Sequence, residues 1–595
     1  KRKGRRIYRP GGGRKGIGFM DYRENYKLWL EEKSLDPKLR AELEAIADAP
    51  GEQEERFYTE LEFGTAGLRG VIGAGTNRMN IYVVRRATQG LADYLKTFPG
   101  GPERGVAIAY DSRHMSDVFA KETALVLAKN GIKAYLYRTL HSVPQLSFTV
   151  LHLNCMAGVV ITASHNPPEY NGYKVYWQHG GQAGPEQASE ILGYIRKADY
   201  FKVKPMEEGA ALESGLLNMI GEEVDEAYYT DTMSLCLNPE LTEWNGADTR
   251  IVYTPLHGSG NVPVREILRR IGIKNISVVK EQEEPDGSFP TVKAPNPEDP
   301  NAFTLAFDLA NKTGADLILA TDPDSDRLGV AVRGRDGRFQ VLTGNQIGSI
   351  LIHYILSTRN EHRTLPGNGL VVRSIVSTRM ADAICAYYGV ELREVLTGFR
   401  FISEQIAESL ETKEHTFLFG FEESYGFLSG CFSRDKDAIC AAMLLAEAAT
   451  VYELQGRNLY DVLQEMYAKY GFYGEAVKSY TLKGKEGLEK IAGAMRALRA
   501  DKIAQFGGVR VVKSEDIQTG TITYPDGREE KCPLPKSNVL RYFTEGDGWL
   551  CVRPSGTEPK LKLYIGAKGS SEAELKAELS RLMTAADGMI SELLK

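Results

Sequence analysis

Strand-sized apolar runs recur along this chain, and each stops at a short polar loop before the next amphipathic stretch begins. Residues 105–110 (GVAIAY) end at Asp111-Ser112-Arg113, a helical pattern follows over 119–130, and Gly131 can end it. Residues 132–137 form the next predicted strand. Another covers 156–162 and runs straight into Ala163-Ser164-His165-Asn166-Pro167-Pro168. The rhythm returns at 250–254, followed by the turn His257-Gly258-Ser259-Gly260 and a helical stretch over 262–271. It returns again at 316–320, and at 369–372 with a helix near 378–388 and a strand at 390–395. Alternation of this kind predicts α/β layers. A chain of 595 residues exceeds a single core, and the pattern suits three βα-rich units of about 100–200 residues each. The end differs. Predicted strands 550–552 and 561–565 flank the loop 553–560, and a charged amphipathic stretch over 571–595 reads as a closing helix, which predicts a smaller α+β domain.

Composition narrows the function classes. With 42% hydrophobic and 26% charged residues the chain reads as a soluble globular protein. Its apolar stretch 156–163 is strand-sized, and no run approaches the roughly 18–20 residues of a membrane helix. Residues 1–19 carry eight Lys or Arg and no acid, and they lack the apolar centre of a secretory signal. Three readings stay open for them: an upstream or cloning-derived tail ahead of Met20, an RNA-binding arm, or a transit peptide. Without those eight charges the net charge moves from −6 to −14, and so acidic a body argues against nucleic-acid binding. The seven cysteines are odd in number and form no C-x-x-C, which fits reduced thiols in the cytoplasm. The nine histidines show no zinc spacing.

Four motifs carry chemistry. In 161–176 (ITASHNPPEYNGYKVY) a strand delivers Ser164 to a loop, the place where open α/β sheets bind ligands. Ser164 can act as a nucleophile with His165 adjacent and Lys174 ten residues on, although neighbouring side chains on a strand point apart and a plain Ser-initiated turn stays open. The G-x-S-x-G elbow of hydrolases is absent. In 321–327 (TDPDSDR) Asp322, Asp324 and Asp326 occupy alternate positions after a strand and so share one face in an extended loop. Three carboxylates that close repel one another unless a cation lies among them, and oxygen ligands suit Mg²⁺, Mn²⁺ or Ca²⁺, although a solvated Asp-rich turn stays open. A calcium EF-hand is ruled out, since its sixth position would be Arg327 and its twelfth Arg333. In 420–426 (GFEESYG) Glu422, Glu423 and Ser424 can hydrogen-bond sugar hydroxyls, or form an acidic turn. In 553–564 (RPSGTEPKLKLY) consecutive backbone N–H groups and hydroxyls suit an anion, with Arg553 as a fork and Lys560 or Lys562 as a point charge, or form an ordinary hairpin turn. A fifth, weaker signal is GTAGLRG at 64–70, a Gly-rich loop from which Arg69 can reach a phosphate.

In this order, the motifs resemble those of the α-D-phosphohexomutase superfamily, the phosphoglucomutase and phosphomannomutase enzymes, from Gly64 to Tyr564. The resemblance implies four domains around a central cleft: three related mixed α/β domains at 20–222, 223–338 and 339–470, and a smaller α+β domain at 471–595. It implies that Ser164 is phosphorylated and that Asp322, Asp324 and Asp326 hold one Mg²⁺ with a phosphoserine oxygen. Arg327 stands at the family's arginine, and Glu422 and Ser424 match the sugar-recognition loop. Arg553, Ser555, Gly556, Thr557 and Lys562 match the loop for the remote phosphate. Arg69, His165 and Lys174 match groups near the reacting phosphate, with Lys174 a proton shuttle. One position departs: Arg400 stands where the family often has lysine in T-G-F-K. Charge is kept and a proton-transfer role is lost, which shifts acid–base duty to Lys174 or a histidine such as His257.

The implied reaction moves a phosphoryl group between Ser164 and a sugar monophosphate through glucose 1,6-bisphosphate, with the fourth domain moving to let that intermediate turn end over end. The E-E-S-Y-G form points to glucose, ahead of phosphopentomutase and phosphomannomutase activities. The alternative of another class is a non-catalytic phosphosugar-binding protein, and a phosphatase is a further option. The expected setting is cytoplasmic, as a monomer or homodimer, with a small phosphosugar as partner and neither nucleic acid nor membrane.

Overall fold

Four sheets follow one another along the chain in the computed structural model, which describes residues 21–64, 67–482, 484–555 and 559–595. The basic stretch 1–19 lies outside the described residues. The first sheet has the strand order Gly67–Val71, Tyr170–Trp177, Ala157–Ile161, Val106–Tyr110, Ala134–Tyr137, Leu217–Ile220. Its last four strands run parallel, and Tyr170–Trp177 is antiparallel to both its neighbours. The second sheet orders Phe339–Val341, Leu328–Arg333, Leu317–Thr321, Arg250–Thr254, Asn275–Val278, again parallel except at the first two. The third orders Glu391–Val395, Gly369–Ser374, Thr416–Glu422, Gly426–Ser429, with only the last antiparallel. The fourth is antiparallel throughout and is covered by helices Gly484–Ala500 and Glu572–Leu593.

The first three sheets share one device that the sequence analysis did not foresee. In each, a buried parallel strand turns back on itself, and the returning strand pairs with it antiparallel: 157–161 with 170–177, 317–321 with 328–333, 416–422 with 426–429. The Ser164, Asp322–Asp326 and Glu422–Ser424 loops are these three turns. Each turn holds one non-glycine residue at positive φ: Ser164 at 52°, Ser325 at 52° and Tyr425 at 65°. The fourth motif joins the antiparallel strands Trp549–Pro554 and Lys560–Gly569. The first three loops therefore project from the ends of paired strands, which holds their backbones rigid.

The first three units share a core. Helix Ala438–Leu454 is buried on every side, as core helices are, and shares one core with residues from all three sheets, including Val160, Leu319 and Phe421. Burying a leucine such as Leu444 or Leu445 stabilises the fold by about 1.5–3 kcal/mol. Asp437 caps this helix by accepting from the Cys440 N–H at 2.8 Å, and the Tyr228 hydroxyl donates to the same carboxylate. The fourth unit has its own core. It meets the third through a small cluster, with Ile375, Val376 and Leu396 against Ile517, Trp549 and Tyr564. Among the described residues no single helix is long and apolar enough to cross a membrane, and the seven cysteines form no disulfide.

Candidate active site

The Asp loop is the hub. Tight turns set it: the Ser325 N–H donates to the Asp322 carbonyl at 3.0 Å, and Ser259 donates to the Pro323 carbonyl through both its N–H and its hydroxyl. Its carbonyls also receive N–H groups from the other units, Val143 to Asp324 at 2.9 Å and Ala438 to Ser325 at 3.2 Å. Fixed this way, Asp322, Asp324 and Asp326 lie buried, with one oxygen of each within 4.8 Å of the others. Burial and the two neighbouring carboxylates push Asp322 well above the usual range. Burial and Asp324 also raise Asp326, against the pull of Lys436. Asp324 goes the other way: burial works against its charge, but Lys174 at 2.9 Å and the bond from Asp322 hold it below the usual range. Three carboxylates this close repel one another unless a cation lies among them. Oδ1 of Asp324 and Oδ1 of Asp326 are buried with no hydrogen-bond partner. Three hard oxygen donors, two of them orphaned, fit a divalent cation.

Ser164 faces this trio. Its hydroxyl donates to Oδ2 of Asp322 at 2.9 Å, and its Oγ lies 3.2 Å from Nδ1 of His165. Adjacent side chains on a strand point apart, but the left-handed φ of Ser164 takes it off the strand and brings the two together. Burial, Arg327 and Arg69 push His165 down to about 2, so its imidazole is neutral. Arg69 lies on the edge strand Gly67–Val71, not in the Gly-rich loop expected for it, because that segment pairs with 170–177. Gly67 permits the pairing, since a Cβ there would strike the Tyr173 carbonyl. The Arg69 guanidinium donates to Asn166 at 3.4 Å.

A cavity of about 1130 Å³ opens beside this centre and draws its walls from all four units. His165 and Arg327 line it at the serine end, and Glu422, Ser424 and Arg400 at the third unit. Arg553, Ser555 and Lys562 line it from the fourth. Arg327 pairs with Glu298 and donates its N–H to Asp322 at 3.1 Å. Glu422 accepts the Gly398 N–H at 2.6 Å, which ties the sugar loop to the start of the Arg400 helix, Phe399–Thr412. Nη1 of Arg400 is buried with no hydrogen-bond partner. Burial and Glu422 push Glu423 up to about 7. Gly556 and Thr557 lie outside the described residues.

His257 is not brought to this cavity. Its ring is buried, with Nδ1 3.1 Å from the Glu284 carbonyl and Nε2 3.0 Å from the Thr291 hydroxyl. The turn it belongs to supports the Asp loop from behind: a Cβ at Gly258 would strike Pro323. Sequence reasoning missed Lys436, which reaches from the third unit to Asp326 at 3.1 Å and Asp435 at 3.0 Å. Asp435 in turn accepts from Tyr176 and Gln182 of the first unit. The signal available was the charged run Asp435-Lys436-Asp437 set directly before a mostly apolar helix.

Three sheets sharing one turn-back design around a carboxylate-lined cleft, with a cation-bearing fourth unit opposite, define a multidomain enzyme for small phosphorylated substrates. The four phosphoglucomutase/phosphomannomutase domains match in order: α/β/α domain I over 60–202, domain II over 227–336, domain III over 343–470 and the C-terminal domain over 494–582. A phosphoglucomutase of Staphylococcus saprophyticus is 38% identical over 516 residues, 86% of this chain and 92% of that protein. One of Staphylococcus aureus is 36% identical over 546 residues, 91% and 95% of the two. The crystal structure of a phosphomannomutase-like protein of Thermus thermophilus superposes with a TM-score of 0.66 at 22% identity, covering 90% of this chain and 99% of that one. The chain belongs to the phosphoglucomutase/phosphomannomutase family. It is a phosphosugar mutase, an isomerase that relocates a phosphoryl group.

Proposed function

We propose that the chain interconverts α-D-glucose 1-phosphate and glucose 6-phosphate, with Ser164 carrying the phosphoryl group and glucose 1,6-bisphosphate as intermediate. The observation that carries this reading is the Ser164 hydroxyl bonded to Asp322 inside a buried carboxylate trio, at one end of a cleft whose other side bears Arg553 and Lys562. The glucose assignment is supported by relatives that are phosphoglucomutases over nearly their whole length. Asp322, Asp324, Asp326 and a phosphoserine oxygen would hold one Mg²⁺, which when bound neutralises charge on the transferring group. Arg69 and His165 steady the phosphoryl group. Arg327, Arg400, Glu422 and Ser424 grip the sugar, and Arg553, Ser555 and Lys562 hold the remote phosphate with Gly556 and Thr557. In transfer, the bond from phosphorus to Ser164 Oγ breaks as one forms to a sugar hydroxyl. Lys174, paired with Asp324 at 2.9 Å, gives a proton to the departing Ser164 Oγ and recovers one from that sugar hydroxyl. After the bisphosphate turns over, the other phosphate reloads Ser164, so the chemistry is positioning plus charge stabilisation.

We place the working domains at 20–222, 223–338, 339–470 and 471–595. The enzyme acts in the cytoplasm, as a monomer or homodimer, on a small phosphosugar alone. The test is a coupled assay on glucose 1-phosphate with a trace of glucose 1,6-bisphosphate, beside mannose and ribose 1-phosphates. Ser164→Ala should abolish turnover. Retained turnover removes the phosphoserine mechanism, and a higher kcat/KM on ribose 1-phosphate makes the enzyme a phosphopentomutase.

A further inference from the structure

The strand Val106–Tyr110 lies next to the strand that delivers Ser164, and it ends on a charged pair that the chemistry above does not use. The Arg113 side chain is fully buried. Its four terminal N–H donors all go to backbone carbonyls of one loop: Nη1 to Pro167 at 2.8 Å and Tyr170 at 3.1 Å, Nη2 to Ser164 and Asn166. Asp111 is the counter-charge beside that guanidinium. Its Oδ1 accepts the Arg113 backbone N–H at 2.9 Å and the Ser116 hydroxyl at 2.7 Å, and its Oδ2 lies 3.4 Å from Arg113 Nε, which makes no hydrogen bond. The same Oδ2 accepts the Thr162 hydroxyl at 2.6 Å, and the Thr162 oxygen accepts the Ser164 N–H at 2.8 Å. From the second unit the Phe289 ring covers the guanidinium at 5.0 Å.

We propose that Arg113 is a positioning residue of the phosphoryl-transfer centre: it gathers the carbonyls of the Ser164 loop, and with Asp111 and Thr162 it holds Ser164 at left-handed φ with its hydroxyl aimed at Asp322. Carbonyls committed to a buried guanidinium neither repel a phosphate nor compete for a cation in the cleft. Only arginine satisfies four acceptors from one planar group, and lysine offers three donors at a single point. The inference rests on Ser164 being the phosphorylated residue.

The test is single-turnover discharge. Arg113→Lys and Thr162→Val proteins are loaded with glucose 1,6-bisphosphate, mixed with glucose 6-phosphate, and followed by quenched intact-mass spectrometry. Only phosphorylated molecules are counted, so the rate does not depend on how much protein folds. We expect Arg113→Lys to discharge about 10²-fold more slowly and Thr162→Val about tenfold more slowly, with half-saturating sugar phosphate changed less than about threefold. Wild-type discharge rates in these variants, with only the melting temperature lowered, would overturn the proposal. If Arg113→Lys does not fold, Thr162→Val decides alone. Turnover retained by Ser164→Ala would defeat the phosphoserine reading itself, an outcome distinct from either.

Discussion

Replacing Arg541 with methionine removes the central cation at the junction of the third and fourth units. Arg541 is buried on the strand beside the one that carries Arg553. It forks onto Glu394 of the third unit at 2.9 and 3.0 Å and reaches Glu515 of its own unit at 3.1 Å. Neither carboxylate becomes an orphan, since Arg373 stays 2.8 Å from Glu394 and Lys513 stays 2.8 Å from Glu515. Burial works against the Glu394 charge, but Arg373 and Arg541 hold its carboxyl down to about 2 from an ordinary 4.5. That difference corresponds to about 3 kcal/mol. With the Glu394 side chain 30% exposed, screening brings the figure nearer about 2 kcal/mol, shared between the two arginines. Adding about 1 kcal/mol for Glu515 puts the cost of Arg541→Met at about 2 kcal/mol. The transition that contains the fourth unit should therefore melt about 6–10 °C lower by calorimetry. A double-mutant cycle with Glu394→Gln should return a coupling of about 1 kcal/mol in urea unfolding. The sign with pH follows from the depressed carboxyl: its contribution is present above 4.5 and lost as pH falls toward 2, so the gap between variant and wild type should narrow over that window. A coupling below about 0.3 kcal/mol, or a gap that stays constant to pH 3, would refute the reasoning.

Three further outcomes are expected. Asp324→Asn should lower turnover and weaken Mg²⁺ dependence together, and unchanged activity in the presence of a chelator would end the metal assignment. Lys436→Met removes the cation shared by the buried Asp326 and Asp435, and should cost about tenfold or more in kcat and about 3–5 kcal/mol of stability, read by steady-state kinetics beside thermal melts. Glu475 accepts from Asn345 at 2.8 Å across the junction of the third and fourth units, and burial raises it to about 7. A raised carboxyl contributes stability that is present below 4.5 and lost as pH rises through about 7. Glu475→Gln should therefore gain melting temperature over wild type between pH 5 and about 8; parallel melting curves would exclude a protonated Glu475.

Much of this was legible because the reactive loops carry their information locally. A buried strand running into Ser-His-Asn-Pro-Pro, or into three alternate aspartates, announces a loop at a strand end, and the structure holds these loops there. Pairing partners are not local. The segment around Arg69 reads as a glycine-rich loop because glycines lower strand propensity, yet residues 67–71 pair with 170–174. His257 reads as a free base in a glycine turn, but its surroundings come from Glu284 and Thr291, which its own segment does not predict. Arg113 and Lys436 were invisible as site residues for the same reason, since their partners lie 51 or more and 110 residues away in sequence.

The strand returns explain why one site can draw on units so far apart in sequence. A parallel strand followed by a helix ends at a loop whose far side is a crossover, free to shift as the helix shifts. A parallel strand that turns back into an antiparallel partner has both ends of its loop tied to the same sheet. Ser164, the Asp trio and the Glu422–Ser424 loop are all mounted this way, and the shared core around helix Ala438–Leu454 fixes the three sheets to one another. The serine end of the cleft is therefore one rigid piece, as suits groups that must meet a transferring phosphoryl within a fraction of an ångström. The fourth unit is attached differently, through a small apolar cluster and the Arg541 ion pairs. Rigidity at the reacting end and a separable contact at the fourth unit are what the proposed reaction needs, since its proposed intermediate must let go at one end and turn around.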